Sequence, residues 1–166
     1  MGRRWQKWRA LGMRVLVMDL LASPDVVDRF YKLEELDEML AQAEVLVIAT
    51  LGTPLTRNMI GAPELALLKK GAYLINLSRG SIVDEGAMIA ALRSGQLGGA
   101  ALDVYTQEPL PKDSPLWDLS NVLISPHAAS ISDRENRRIT KVFCDNLHRN
   151  MDGKLLCNVL NTKLLY

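Results

Sequence analysis

The fold class this sequence predicts is α/β, a doubly wound parallel sheet with helices on both faces. Three observations point to it. Short apolar runs alternate with segments of helical period over the whole length. The central runs are continuous rather than alternating, as in strands covered on both sides. Each run also ends in polar or charged residues and a turn, as at the carboxyl edge of a parallel sheet, where open α/β folds bind ligands. With no internal repeat, low-complexity segment or clear linker, residues 1–166 are expected to form one domain.

Taken in order, residues 2–11 read as a helix closed by Gly12, with Arg9 in the last turn. Arg14 to Met18 is a short strand that Asp19 closes, and Ser23-Pro24-Asp25 is a turn. Leu36, Met39, Leu40 and Ala43 recur at helical spacing. Val45-Leu46-Val47-Ile48 is a buried strand, followed by the breaker-rich loop Thr50-Leu51-Gly52-Thr53-Pro54. A compact helix follows, with Pro63 in its first turn, Lys69 and Lys70 in its last and Gly71 behind it. The run Leu74, Ile75, Leu77 is a strand that ends on Ser78-Arg79-Gly80. Asp84 stands where an N-cap belongs, ahead of a helix from Glu85 that stops at Ser94-Gly95. Ala100-Ala101-Leu102 leads into Asp103 and a proline-rich loop containing Glu108. Asn121 to Ser125 is the last strand, ending at Pro126-His127. Ser132 and Glu135 have capping-box spacing, opening an amphipathic helix to about Met151 that Gly153 ends.

Composition narrows the function. The chain has 48% apolar and 23% charged residues and a net charge of +1, with both signs interspersed. That is the profile of a soluble globular protein and gives no basic footprint for nucleic acid. No apolar run is long enough to span a bilayer, and the basic N-terminus lacks the apolar core of a secretory signal, so the expected location is the cytoplasm. Cys144 and Cys157 have no metal-ligand spacing and read as reduced thiols. No metal site is expected. Trp117 and the methionines read as core, and His148 as part of a solvated helix face.

The groups just past the strands are Asp19, the 50–54 loop, Ser78-Arg79, Asp103 and His127, with Glu108 in reach. All carboxyl ends of a parallel sheet share one edge, so these groups are expected to converge on a crevice. An acidic residue at such a strand end can accept hydrogen bonds from both ribose hydroxyls of an adenine nucleotide and repels a 2′-phosphate, favouring NAD over NADP. An arginine offers a planar fork to a carboxylate and a carbonyl oxygen. A histidine paired with a glutamate exchanges a proton near neutral pH. Singly, each group has a plainer reading: turn residue, helix cap, strand closure or solvated loop charge. Their common placement carries the argument.

Four stretches then show a resemblance. They are Asn76-Leu77-Ser78-Arg79-Gly80-Ser81-Ile82-Val83-Asp84, Gly99-Ala100-Ala101-Leu102-Asp103-Val104, Gln107-Glu108-Pro109-Leu110-Pro111 and Asn121-Val122-Leu123-Ile124-Ser125-Pro126-His127. Together with Thr53-Pro54-Leu55-Thr56, the chain resembles the Rossmann-like NAD-binding domain of the D-isomer-specific 2-hydroxyacid dehydrogenases. The resemblance implies an oxidoreductase that interconverts a D-2-hydroxy acid and a 2-oxo acid, with NAD as cofactor and a homodimer as assembly. By position it implies a catalytic trio of Arg79, Glu108 and His127. Arg79 would hold the 2-oxo acid, His127 would give or take the proton, and Glu108 would orient His127. Asp19 would bind the adenosine ribose, Thr53 would line the cofactor cleft, and Leu77, Ser78, Arg79, Asp103 and His127 would surround the nicotinamide.

The family's Gly-x-Gly-x-x-Gly strand-turn is not in this sequence; Gly2 falls near its last glycine. The expectation is therefore a chain without the family's first strand, glycine motif and N-terminal substrate domain. The Val15 and Leu74 strands are then expected to present unpaired edges and to lower the stability, and NAD is expected to bind weakly because the phosphate-binding turn is missing. Two other readings stay open beside the enzyme: a non-catalytic NAD-binding or dimerisation module, and an inactive fragment of such an enzyme.

Overall fold

The computed structural model describes residues 5–19 and 27–159; the Ser23-Pro24-Asp25 turn and Gly2 lie outside them. The chain divides into two compact units, Met1–Pro126 and His127–Tyr166.

The first unit is built on parallel strands with helices between them. Helix α1 (Trp5–Ala10) leads through Gly12, at φ 79, into β1 (Leu16–Met18). Strand β2 (Arg29–Tyr31) pairs with β1 to make a two-stranded parallel sheet. Four more strands, β3 (Val45–Ile48), β4 (Ala72–Asn76), β5 (Leu97–Leu102) and β6 (Val122–Ile124), form a second parallel sheet in that order. Between them run α2 (Leu36–Leu40), α3 (Ala62–Leu67) and α4 (Glu85–Ser94). The fold class is as the sequence predicts: a Rossmann-like α/β arrangement of parallel strands with flanking helices.

Register fixes which side chains share a face. Leu46, Leu74 and Ala100 stand side by side, as do Ile48, Asn76 and Leu102. All six are buried, and this face meets Leu40, Leu65, Ile82, Met88, Leu92 and Leu116 in one core. The opposite face carries Val45, Tyr73 and Leu123, all exposed. The expectation that the Leu74 strand is covered on both sides is corrected here: Tyr73 is 55% exposed, and Leu77 beyond the strand is 47% exposed. Tyr73 instead lays its ring over Gly99, where a Cβ would stand 3.1 Å from Tyr73 Cε1.

Helix α4 shows how local sequence sets an element. Asp84 Oδ1 accepts the Ala87 N–H at 3.0 Å, satisfying a first-turn donor. Met88 and Leu92, one turn apart, enter the core, and Gly95 at φ 75 closes the helix in the left-handed region.

Several expectations are corrected. The Leu74 strand presents no unpaired edge, because it pairs on both sides, with β3 and β5; the edge strand of this sheet is the Val45 strand. Strand β2 has no counterpart in the sequence reading. Helix α3 ends at Leu67, before Lys69 and Lys70, because Leu68 is already extended at ψ 150. Trp117 is 53% exposed and donates from Nε1 to the Pro111 carbonyl at 2.8 Å, so its polar edge holds it at the surface. Met39 and Met88 are core, but Met13 and Met151 are exposed.

The second unit contains α5 (Glu135–Met151). It starts at Glu135 without a side-chain cap; Ser132 contributes only its backbone carbonyl, accepting the Glu135 N–H at 3.1 Å. No residue of α5 is buried. Asn146 clamps the returning chain, donating to Cys157 O at 3.0 Å and accepting from Cys157 N at 2.7 Å. Cys144 and Cys157 are free thiols, both exposed, and His148 is exposed on the helix. Among the described residues, no helix is long and apolar enough to cross a membrane.

Candidate active site

The site is assembled from loops that leave the carboxyl ends of β3, β4 and β5. After β4 the backbone turns sharply. Asn76 Oδ1 accepts the Ser78 N–H at 3.1 Å, and Asn76 Nδ2 donates to the Arg79 carbonyl at 3.0 Å. A single 3₁₀ turn, Gly80–Ile82, follows and delivers the chain to the Asp84 cap. This tight path leaves Arg79 exposed at the sheet edge, its guanidinium donating to the Ser78 carbonyl at 2.6 Å.

The loop after β3 lies against this turn. Ser78 Oγ donates to the Thr50 carbonyl, joining the two strand ends. Gly52 meets the Arg79 side chain so closely that a Cβ there would stand 2.7 Å from Arg79 Cγ. Thr53 stands next in this loop; its N–H donates to Thr56 Oγ1 at 2.8 Å, and that hydroxyl donates to the Leu51 carbonyl at 2.7 Å. The loop is thus held by its own hydroxyl group. Leu77 continues the β4 ladder by donating to Ile48 O at 3.1 Å while its side chain stays exposed.

The loop after β5 completes the arrangement. Asp103 is 3% exposed; its N–H donates to Asn76 O at 3.0 Å and its Oδ1 accepts from Ser125 Oγ at 2.6 Å. Glu108 Oε1 accepts the Tyr105 N–H at 3.0 Å, which fixes that carboxylate to the base of its own loop. Gly80 touches the Tyr105 backbone, where a Cβ would overlap the Tyr105 carbonyl carbon at 1.9 Å. Only glycine permits this approach, and it joins the Arg79 turn to the Glu108 loop.

Tyr105 is the hidden hub of this edge. Its buried hydroxyl lies 2.9 Å from both the Leu102 and Ser125 carbonyls and accepts the Ser125 N–H at 3.2 Å. Burial raises its pKa above the ordinary value, a hydrogen bond with Ser125 opposes that rise, and the Asp103 and Glu108 carboxylates add to it.

Thr53, Leu77, Ser78, Arg79, Asp103 and Glu108 therefore sit on three neighbouring strand-end loops. Asp19 follows β1, in the two-stranded sheet, and is exposed. His127 opens the second unit at φ 53, the left-handed region that a non-glycine residue occupies only at a cost. Among the described residues no cluster of His, Cys, Asp or Glu could hold a metal ion.

The sequence reading missed Asn76, Gly52, Tyr105 and Ser125 as supports. For Asn76 a signal was present: it follows Ala72 and Leu74 at alternate positions of an inward-facing column, where an amide stands out. Gly52, Tyr105 and Ser125 act through contacts with segments distant in sequence and leave no local pattern.

Residues 2–129 match the family described as D-isomer specific 2-hydroxyacid dehydrogenase, NAD binding domain. The chain is 35% identical over 158 residues to a glyoxylate reductase of Aeropyrum pernix, covering 95% of this chain and 47% of that protein. A D-isomer specific 2-hydroxyacid dehydrogenase of Xanthobacter autotrophicus Py2, solved in complex with NADPH and MES, superposes with a TM-score of 0.87 at 40% identity. That alignment covers 93% of this chain and 64% of the other. An NADPH-dependent glyoxylate/hydroxypyruvate reductase of Sinorhizobium meliloti, solved with NADP and sulfate, gives a TM-score of 0.89 at 30% identity, covering 99% of this chain and 53% of the other. The chain spans about half the length of the curated relatives it matches. The match over residues 2–129, the parallel fold and the strand-end loops agree: the chain belongs to the D-isomer specific 2-hydroxyacid dehydrogenase family, on the part that is that family's NAD-binding domain.

Proposed function

We propose that residues 1–166 serve as the nucleotide-binding and catalytic domain of an enzyme that interconverts a D-2-hydroxy acid and a 2-oxo acid. The single observation that carries this reading is Arg79, exposed on a turn braced by Asn76, Gly52 and Ser78 at the edge of a parallel sheet. A fork of N–H donors held there suits the carboxylate and carbonyl oxygen of a 2-oxo acid.

A nicotinamide dinucleotide fits the neighbouring groups and, when bound, supplies or accepts the hydride. Thr53, Leu77, Ser78 and Asp103 are the residues that would line its nicotinamide side, and Asp19 would take the ribose hydroxyls. NAD is the proposed cofactor, because a carboxylate at Asp19 repels a 2′-phosphate, although the two solved relatives described above carry NADP or NADPH. His127 gives a proton to the carbonyl oxygen in reduction and takes it back in oxidation. The resemblance gives Glu108 the supporting role, that of a carboxylate which orients the histidine. The substrates named for the relatives, glyoxylate and hydroxypyruvate, are the first to try. A homodimer in the cytoplasm, with small-molecule substrates and neither nucleic acid nor membrane as partner, completes the reading.

The test is NADH oxidation with glyoxylate and with hydroxypyruvate, beside Arg79→Ala. Turnover that falls by about 10²-fold or more in the variant, as when a preorganised donor is removed, supports the assignment. Turnover indifferent to Arg79 refutes it.

A further inference from the structure

We propose that Asn76 is the positioning residue for Arg79, the group whose side-chain amide sets where the substrate-binding fork stands. The inference rests on the reading of Arg79 given above, and it concerns a residue that never reaches the substrate itself.

Asn76 is 2% exposed, and both ends of its amide are committed to the loop it precedes. Its Oδ1 takes the Ser78 N–H at 3.1 Å, a bond to the backbone two residues on. Its Nδ2 donates to the Arg79 carbonyl at 3.0 Å, and the Ile82 N–H reaches the same carbonyl at 3.3 Å. The partners dictate the amide's orientation, because an N–H needs an oxygen and a carbonyl needs a donor. Its own carbonyl receives the Asp103 N–H at 3.0 Å, so one residue ties the Arg79 and Asp103 loops together.

An amide at an inward position beside Ile48 and Leu102 is costly to bury unless it is bonded, and asparagine is a poor strand former. A leucine there would serve the core alone. The bonds that offset the burial all fall on the two residues preceding Gly80. Without them the peptides on either side of the Ser78–Arg79 pair lose their side-chain anchors, and Arg79 leaves its place against Gly52.

The test compares the wild type with Asn76→Ala, Asn76→Asp and Arg79→Ala. Asn76→Asp has nearly the same shape and keeps an acceptor for Ser78, but it faces the Arg79 carbonyl with a second oxygen. Both Asn76 variants are expected to raise KM for the 2-oxo acid by about 10-fold or more, with a smaller change in the Kd for NADH. Adding Asn76→Ala to Arg79→Ala is expected to cost nothing further, since the first acts through the second. Trypsin reports the same geometry without turnover: cleavage between Arg79 and Gly80 is expected to run several-fold faster in the variants. A folded Asn76 variant with unchanged KM and unchanged cleavage overturns the proposal, as does a full additive loss in the double variant. If the wild type turns over no 2-oxo acid, the reading of Arg79 as a substrate fork fails. The positioning by Asn76 is then judged on cleavage alone, faster supporting it and unchanged overturning it. Should Asn76→Ala fail to melt cooperatively, Asn76→Asp carries each comparison.

Discussion

Gly52 and Arg79, 27 positions apart in the chain, are in contact: a Cβ on Gly52 would come within 2.7 Å of Arg79 Cγ and 3.1 Å of its Cβ. The atoms met are the root of the arginine side chain, which cannot swing aside without changing its first rotamer. Gly52→Ala is therefore expected to displace the guanidinium while leaving the sheet intact. The expected result is a rise in KM for the 2-oxo acid of about 10-fold, by misplacement of a binding group, with little change in the melting temperature. Steady-state kinetics beside a thermal melt check it.

Asp84→Ala tests the fold independently of the site. It removes the acceptor that caps the Ala87 N–H at the start of α4. The expected loss is about 1 kcal/mol of stability, read as a lower midpoint in urea with unchanged slope.

Tyr105 predicts a limit at alkaline pH. Its folded-state pKa lies above the ordinary value of 10.0, chiefly because the hydroxyl is buried. The stability this contributes is fully present below the unfolded value and is lost as pH rises through the higher folded value. Melting temperature is expected to fall above about pH 10 more steeply in the wild type than in Tyr105→Phe, which has no proton to lose there. At neutral pH the same variant is expected to cost about 1 kcal/mol for the hydrogen bonds it gives up.

The proposed role of Asp19, to favour NAD over NADP, is tested by affinity for the two dinucleotides. Fluorescence titration is expected to give a lower Kd for NADH than for NADPH, and Asp19→Ala should narrow the difference by relieving repulsion of the 2′-phosphate. Equal affinities in the wild type would remove Asp19 from the cofactor site.

How much of this was legible follows from what each element depends on. Strands β3 and β4 could be read within a residue or so, because Val45 to Ile48 and Leu74-Ile75 are apolar runs between breakers. Strand β2 could not. Arg29-Phe30-Tyr31 is three residues with a charge at its head, and it becomes a strand by pairing with β1 and burying Tyr31. The Arg29 guanidinium then lies 4.4 Å from the Tyr31 ring centroid, on the face the two residues share once the segment is a strand. Helix ends misled where a tertiary contact outranked a local preference, as at Leu68, which turns into the core instead of extending α3 toward Lys69. In the site, the residues that chemistry would use were visible because they end strands. Of the residues that brace them, Asn76 stood out as an amide in an inward-facing column, whereas Gly52 and Tyr105 work through contacts between loops that only the folded chain brings together.

Helix α5 carries a consequence for how the protein comes apart. None of its 17 residues is fully buried, and one i,i+4 ion pair, Lys141 to Asp145 at 2.9 Å, lies along it. A helix of that length held by propensity, a surface pair and the Asn146 bonds to Cys157 is governed more by helix–coil statistics than by a packed core. Heating should therefore melt this segment gradually, as a sloping baseline in circular dichroism, while the strands of residues 1–126 are lost in one step.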